Sequence, residues 1–110
     1  MRKVTFHIDD AQYFKGQFKK ENPNLTDEEI NSILCGQNPF RVIYSLFGDE
    51  KTIDHYELTD YDGKKININN LNGFQRGVIL SDCIAYFMGG NFHYNKDHPC
   101  GVVHIEESVL

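Results

Sequence analysis

The chain has no tryptophan, only three prolines and three cysteines in 110 residues, and no apolar run long enough to span a bilayer. A membrane-spanning reading is therefore set aside. Cys35, Cys83 and Cys100 are odd in number, far apart and never arranged as C-x-x-C, which argues against a disulfide scaffold and for reduced thiols in the cytoplasm. The N-terminal apolar stretch, Val4 to Ile8, is broken by Thr5 and His7 and followed at once by Asp9-Asp10, so no secretory signal is expected. Basic residues are also scarce, 11 Lys and Arg against 16 Asp and Glu. Lys15, Lys19 and Lys20 beside Tyr13 are the nearest thing to a phosphate-binding patch, too little in an acidic chain to imply direct contact with nucleic acid. Low-complexity tracts and internal repeats are absent as well.

What is present is an ordinary globular composition, with 40% hydrophobic and 13% aromatic residues. The length suits one domain, residues 1–110, able to bury a core without a disulfide or structural metal. The net charge of −5 is concentrated: Asp49, Glu50, Asp54, Glu57, Asp60 and Asp62 stand against Lys51 alone, leaving the rest of the chain neutral. Such a segment repels nucleic acid and favours a basic partner, or it keeps the protein soluble.

From Lys3 to Asp9, Val4, Phe6 and Ile8 alternate with Lys3, Thr5 and His7, the pattern of a half-buried strand with His7 facing away from the core. Asp10 is placed to cap a helix on which Tyr13, Phe14 and Phe18 share a face, and which Pro23 ends. Thr26 and Glu29 form a capping box for a second helix, with Leu25 and Ile30 as a hydrophobic staple and Gly36 as C-cap. Phe40 to Phe47 is apolar on both parities, as expected of a strand covered or flanked on both sides. Gly48-Asp49-Glu50 turns the chain, and Thr52 to Asp60 and Lys64 to Asn70, around Asp62-Gly63, complete a three-stranded meander. Asp49 and Asp62 then lie at opposite ends of a strand, about 25 Å apart, so the acids form a stripe and not one catalytic centre. Phe74 to Met88 is apolar nearly all round, a central core helix in which Asp82 shares a solvated edge with Gln75. Gly89-Gly90 stops it, and Asn91 to Asn95 with Cys100 to Glu107 read as a terminal hairpin. The order β-α-α-β-β-β-α-β-β predicts an α+β fold, an antiparallel or mixed sheet built from the meander, the N-terminal strand and the C-terminal hairpin. About three helices pack mainly on one face.

Half of the chain's His and Cys residues fall within twelve positions, as His93, His98, Cys100 and His104. Imidazole and thiolate are the side chains that bind zinc or carry nucleophilic and acid/base chemistry near neutral pH. Pairing Phe92 and Tyr94 on the core face with Val103 and Ile105 puts His93 between Cys100 and His104 on the opposite face. Cys100 and His104 are four strand residues apart, roughly 13 Å, too far for one tetrahedral ion. An open zinc site would instead use His93 with His98 or Cys100, plus His7, His55 or a carboxylate. A thiol enzyme would use Cys100 as nucleophile, His93 or His104 as base, and Asp97 or Glu106 to orient it. No oxyanion-hole or nucleophile-elbow pattern accompanies these residues, and the plain alternative is the wet face of an edge hairpin.

Other motifs resolve as structure. Asp60-Tyr-Asp62-Gly63 has its glycine at the wrong offset for a calcium loop, and Gly73-Phe-Gln-Arg-Gly77 lacks a phosphate-loop context. The leading expectation is a small cytoplasmic binding protein, an inhibitor or regulator that works as a monomer or homodimer and uses no cofactor. It would dock Asp49, Glu50, Asp54, Tyr56, Glu57, Asp60, Tyr61 and Asp62 on a basic, nucleic-acid-binding protein. Ten Asn, ten Ile and eight Lys against three Arg suggest an AT-rich genome, compatible with a phage or mobile-element inhibitor or an immunity protein. The alternative is a zinc- or thiol-dependent hydrolase centred on His93, His98, Cys100 and His104.

Overall fold

The computed structural model describes residues 1–35, 40–89 and 101–110. Four of the segments expected as strands become β1 (Arg2–Asp9), β2 (Arg41–Asp49), β3 (Thr52–Asp60) and β4 (Val102–Val109). Among the described residues they form a sheet of order β3-β2-β1-β4 in which every pair is antiparallel. The fold is α+β, with elements in the order the sequence predicts.

Helices α1 (Asp10–Glu21) and α2 (Asp27–Cys35) lie between β1 and β2 in sequence. Asp10 does more than begin α1. Its carboxylate accepts a 2.6 Å hydrogen bond from the Phe40 amide, which ties the start of α1 to the entry of β2. The capping box forms as expected: the Glu29 amide donates to Thr26 Oγ1 at 3.2 Å and the Thr26 amide to Glu29 Oε1 at 3.1 Å, worth about 1 kcal/mol to α2. An ion pair of 2.7 Å between Lys19 and Asp27 links the two helices. The hydrogen bond and charge of Lys19, then the charge of Lys15, hold the Asp27 carboxyl below the usual carboxylate range. Gly36 lies outside the described residues.

The long apolar segment is helical but not uniform. It runs as α3 (Gly73–Gly77), a π-helical stretch (Val78–Cys83) and α4 (Ile84–Phe87). A second capping box starts it, Asn72 with Gln75, where each backbone amide donates to the other side chain at 3.1 and 2.9 Å. The π turn changes which side chains face inward, because it winds more residues per turn than the 3.6-residue α pattern assumes. Asp82, expected on a solvated edge, is 6% exposed, whereas Leu80 is 46% exposed.

The core lies between this segment and one face of the sheet. Val4, Phe6, Ile8, Val42, Tyr44, Leu46, Leu58 and Val102 supply the sheet side; Val78, Ile79, Cys83 and Phe87 supply the other. Each buried aliphatic or phenyl side chain contributes roughly 1.5–3 kcal/mol by leaving water. Arg2 fastens the far end: its guanidinium lies 4.6 Å from the Phe87 ring centroid and Nη2 donates to the Phe87 carbonyl, a cation at a helix C-terminus.

The meander is shorter than the sequence suggests. Gly48 and Asp49 remain in β2, and the turn falls at Glu50-Lys51, with Lys51 at φ 59°. The third strand is reduced to the bridge Thr59↔Lys65, after which Asn67 caps a 3-10 turn, Ile68–Asn70. The asparagine side chain offers the backbone an acceptor that competes with a strand ladder. The first arm of the expected terminal hairpin, residues 91–95, lies outside the described residues. Its second arm, β4, pairs with β1. Val103, expected on the core face, is instead 46% exposed, because Ile8 pairs with Val102 and His7 with His104, leaving Val103 as the extra residue of a β-bulge.

Candidate functional site

The acidic residues are strung along β3 and the turns at its ends, each in a different setting. Asp49 is 83% exposed in its side chain and 3.5 Å from the N-terminal amine. Glu50 is an exposed turn residue. Asp54 is the extra residue of a second bulge, since Phe47 pairs with His55 and Gly48 with Ile53, and its Oδ2 lies 2.9 Å from His55 Nδ1. Asp60 serves the next turn: its Oδ1 accepts from the Asp62 and Lys64 amides, both at 2.9 Å, while Gly63 takes φ 87°. Asp62 is exposed at that turn, and Glu57 is exposed opposite Ser45.

Tyr56 sits on the core parity, opposite Leu46, but is 47% exposed, with its ring 5.5 Å from that of Tyr44. Beside it a groove of about 340 Å³ opens along the outer edge of β3, lined by Tyr56, Glu57, Leu58, Thr59, Gly63, Lys65 and Ile66. Tyr61 lies apart from Tyr56, between the Arg41 guanidinium, 4.4 Å from its ring, and His7. Burial first, and then the charge of Asp9, push the Tyr61 hydroxyl up, with Arg41 opposing. Arg41 also pairs with Asp9 at 3.2 Å.

The other polar cluster is on the sheet face opposite the core helical segment, where β1 meets β4. Strand parity turns Lys3, Thr5 and His7 to that face, and Thr5 shares a 3.1 Å hydrogen bond with Ser45. The bulge at Val103 sets His104 directly opposite His7, and Glu106 follows on the same face opposite Thr5. His104 Nε2 is 3.2 Å from Glu106 Oε1, His7 Nε2 is 3.6 Å from Glu106 Oε2, and the two imidazole rings are 5.3 Å apart. The His104 hydrogen bond first, and the neighbouring His7 imidazole second, hold the Glu106 carboxyl below its usual range. A carboxylate between two imidazoles can act as an orienter of a base or as one ligand of a three-donor set.

Of the residues singled out in the sequence, His93, His98, Cys100 and Asp97 lie outside the described residues. His104 and Glu106, named among the alternatives for base and orienter of a thiol enzyme, lie side by side. His7, named only as a ligand from elsewhere, is the residue that the β1–β4 pairing adds to them. Its outward parity was legible; its partner strand was not. His55, the other candidate from elsewhere, belongs to β3, where its ring stacks on Phe47 at 4.2 Å. Cys83 is a free thiol, fully buried; burial first, and then Asp82, push it far above its usual range, so it stays protonated and is no nucleophile.

No helix among the described residues is long and apolar enough to cross a membrane. Comparison with protein-family models, with curated proteins and with solved structures gave no match.

Proposed function

We propose that this chain is a small acidic protein-binding module of the cytoplasm, an inhibitor or regulator, which docks a basic segment of a nucleic-acid-binding protein on the outer edge of β3. The observation that supports it best is the coincidence of three features along one edge: an exposed aromatic ring at Tyr56, the groove beside it, and the acidic stretch from Asp49 to Asp62. Residues 64–66 already cover the Leu58 to Asp60 end of the strand, through the Ile66 amide on the Leu58 carbonyl and the Asp60 amide on the Lys64 carbonyl. They leave off before Tyr56, so an extended partner segment can continue the ladder from there. Glu57 and Asp54 line its path and favour lysine or arginine side chains. Charges at such a rim act mainly by steering association, and the tyrosine anchors the contact.

The test is a titration of the 15N-labelled protein with an extended peptide of alternating Lys and Val. Amide resonances of residues 53–58 should shift and those of 103–108 should not, with affinity falling steeply as salt is raised. Tyr56→Ala together with Glu57→Lys should abolish the shifts. Binding that is insensitive to salt, or unaffected by that double substitution, rejects this docking edge.

A further inference from the structure

We infer that His7, His104 and Glu106 form a binding site for one divalent transition-metal ion of zinc-like chemistry. The inference is independent of the β3 edge. The three side chains each offer one ligand atom, and all of these lie within 4.8 Å of one another. Tetrahedral zinc, with bonds of about 2.0–2.1 Å, places its donors about 3.3 Å apart. His104 Nε2 lies 3.2 Å from one Glu106 carboxylate oxygen and His7 Nε2 3.6 Å from the other, both close to that spacing, so modest side-chain rotations bring three donors around one ion.

The donors are held by the sheet and not by loops. His7 and His104 are direct cross-strand partners and Glu106 is two residues along the same strand, so side-chain torsions alone adjust the geometry. His7 adds a second observation. Its Nε2 is buried yet makes no hydrogen bond, because Glu106 at 3.6 Å is beyond hydrogen-bonding distance. A buried ring nitrogen without a hydrogen bond is costly, and coordination to an ion is one way to satisfy it. Two imidazoles and a carboxylate suit zinc, cobalt, nickel or copper better than calcium or magnesium, which take oxygen donors. Three protein donors leave a further position open for water or an exogenous ligand.

Untagged full-length protein, stripped with chelator, is titrated with zinc by calorimetry and with cobalt(II) by absorption spectroscopy. One ion per chain is expected, with the His7 and His104 ring resonances shifting and those of His55 unmoved. His104→Ala and Glu106→Gln change exposed side chains and should leave the far-UV circular dichroism intact while weakening binding by about tenfold or more. His55→Ala, which removes an exposed imidazole beside a carboxylate on the other edge, should bind as the wild type does. Undiminished binding in both His104→Ala and Glu106→Gln, equal loss in His55→Ala, or no stoichiometric binding at all overturns the site.

Discussion

Among the described residues, strand β3 at one edge of the sheet and strand β4 at the other each insert one residue opposite the strand they pair with, Asp54 in the first and Val103 in the second. Bulges of this kind twist a strand locally and re-aim the side chains beside them. Their chemical results differ. At β3 the inserted residue is itself polar and finds its partner next door, in His55, so the acids of this edge remain a series of local contacts spread along the strand. At β4 the inserted residue is apolar and exposed, and its effect falls on the neighbours: the shifted register sets His104 across from His7 and makes one cluster from two strands. A charged stripe fits an extended partner. A convergent trio fits a single ion.

The comparison can be broken most strongly from beneath β3. Leu58 is the one fully buried side chain of that strand, 4% exposed, and Leu58→Ala should cost about 2–5 kcal/mol in urea unfolding. Retention of full stability would mean that β3 is not anchored as described. The bulges themselves come next. A Cβ on Gly48 would stand 2.1 Å from the Thr52 carbonyl oxygen, so Gly48→Ala must push apart the β2–β3 backbone and should cost about 1–3 kcal/mol. Val103→Ala, at the other bulge, trims an exposed side chain and should stay within about 0.5 kcal/mol of wild type. Equal effects at the two sites would erase the distinction between a bulge that needs its glycine and one that does not. The smallest change sharpens the picture: Lys51 holds φ 59° in the β2–β3 turn, and Lys51→Gly should stabilise the chain by about 0.5–1 kcal/mol, visible as a higher denaturation midpoint. A lower midpoint would show that the lysine side chain contributes more than its backbone strain costs.

Much of this was legible because it is local. Thr26 and Glu29 announce a helix start within four residues, and Val4, Phe6 and Ile8 announce a buried strand face by parity alone. Lys64 to Asn70 reads as a strand because Asp62-Gly63 signals a hairpin; Asn67, offering its carbonyl oxygen to the Asn69 amide at 2.9 Å, turns the chain instead. Asp82 was misplaced because helical periodicity presumes an unbroken α pattern, and a π turn carries no such repeat in the residues themselves. For the polar cluster, His104 and Glu106 were visible as a pair at alternate positions of one strand. His7, nearly a hundred residues away in the chain, was visible only as a histidine facing away from the core.

By itself, then, the sequence determined the class of the fold, the order of its elements, the outward parity of His7 and the concentration of negative charge between Asp49 and Asp62, because strand parity, capping and composition act over a few residues. The tertiary structure alone decided that β4 lies against β1, that Val103 is skipped in the pairing, and that Asp82 is buried. Those choices depend on which long-range arrangement best fills the core against the helical segment, and no short window of sequence carries that sum.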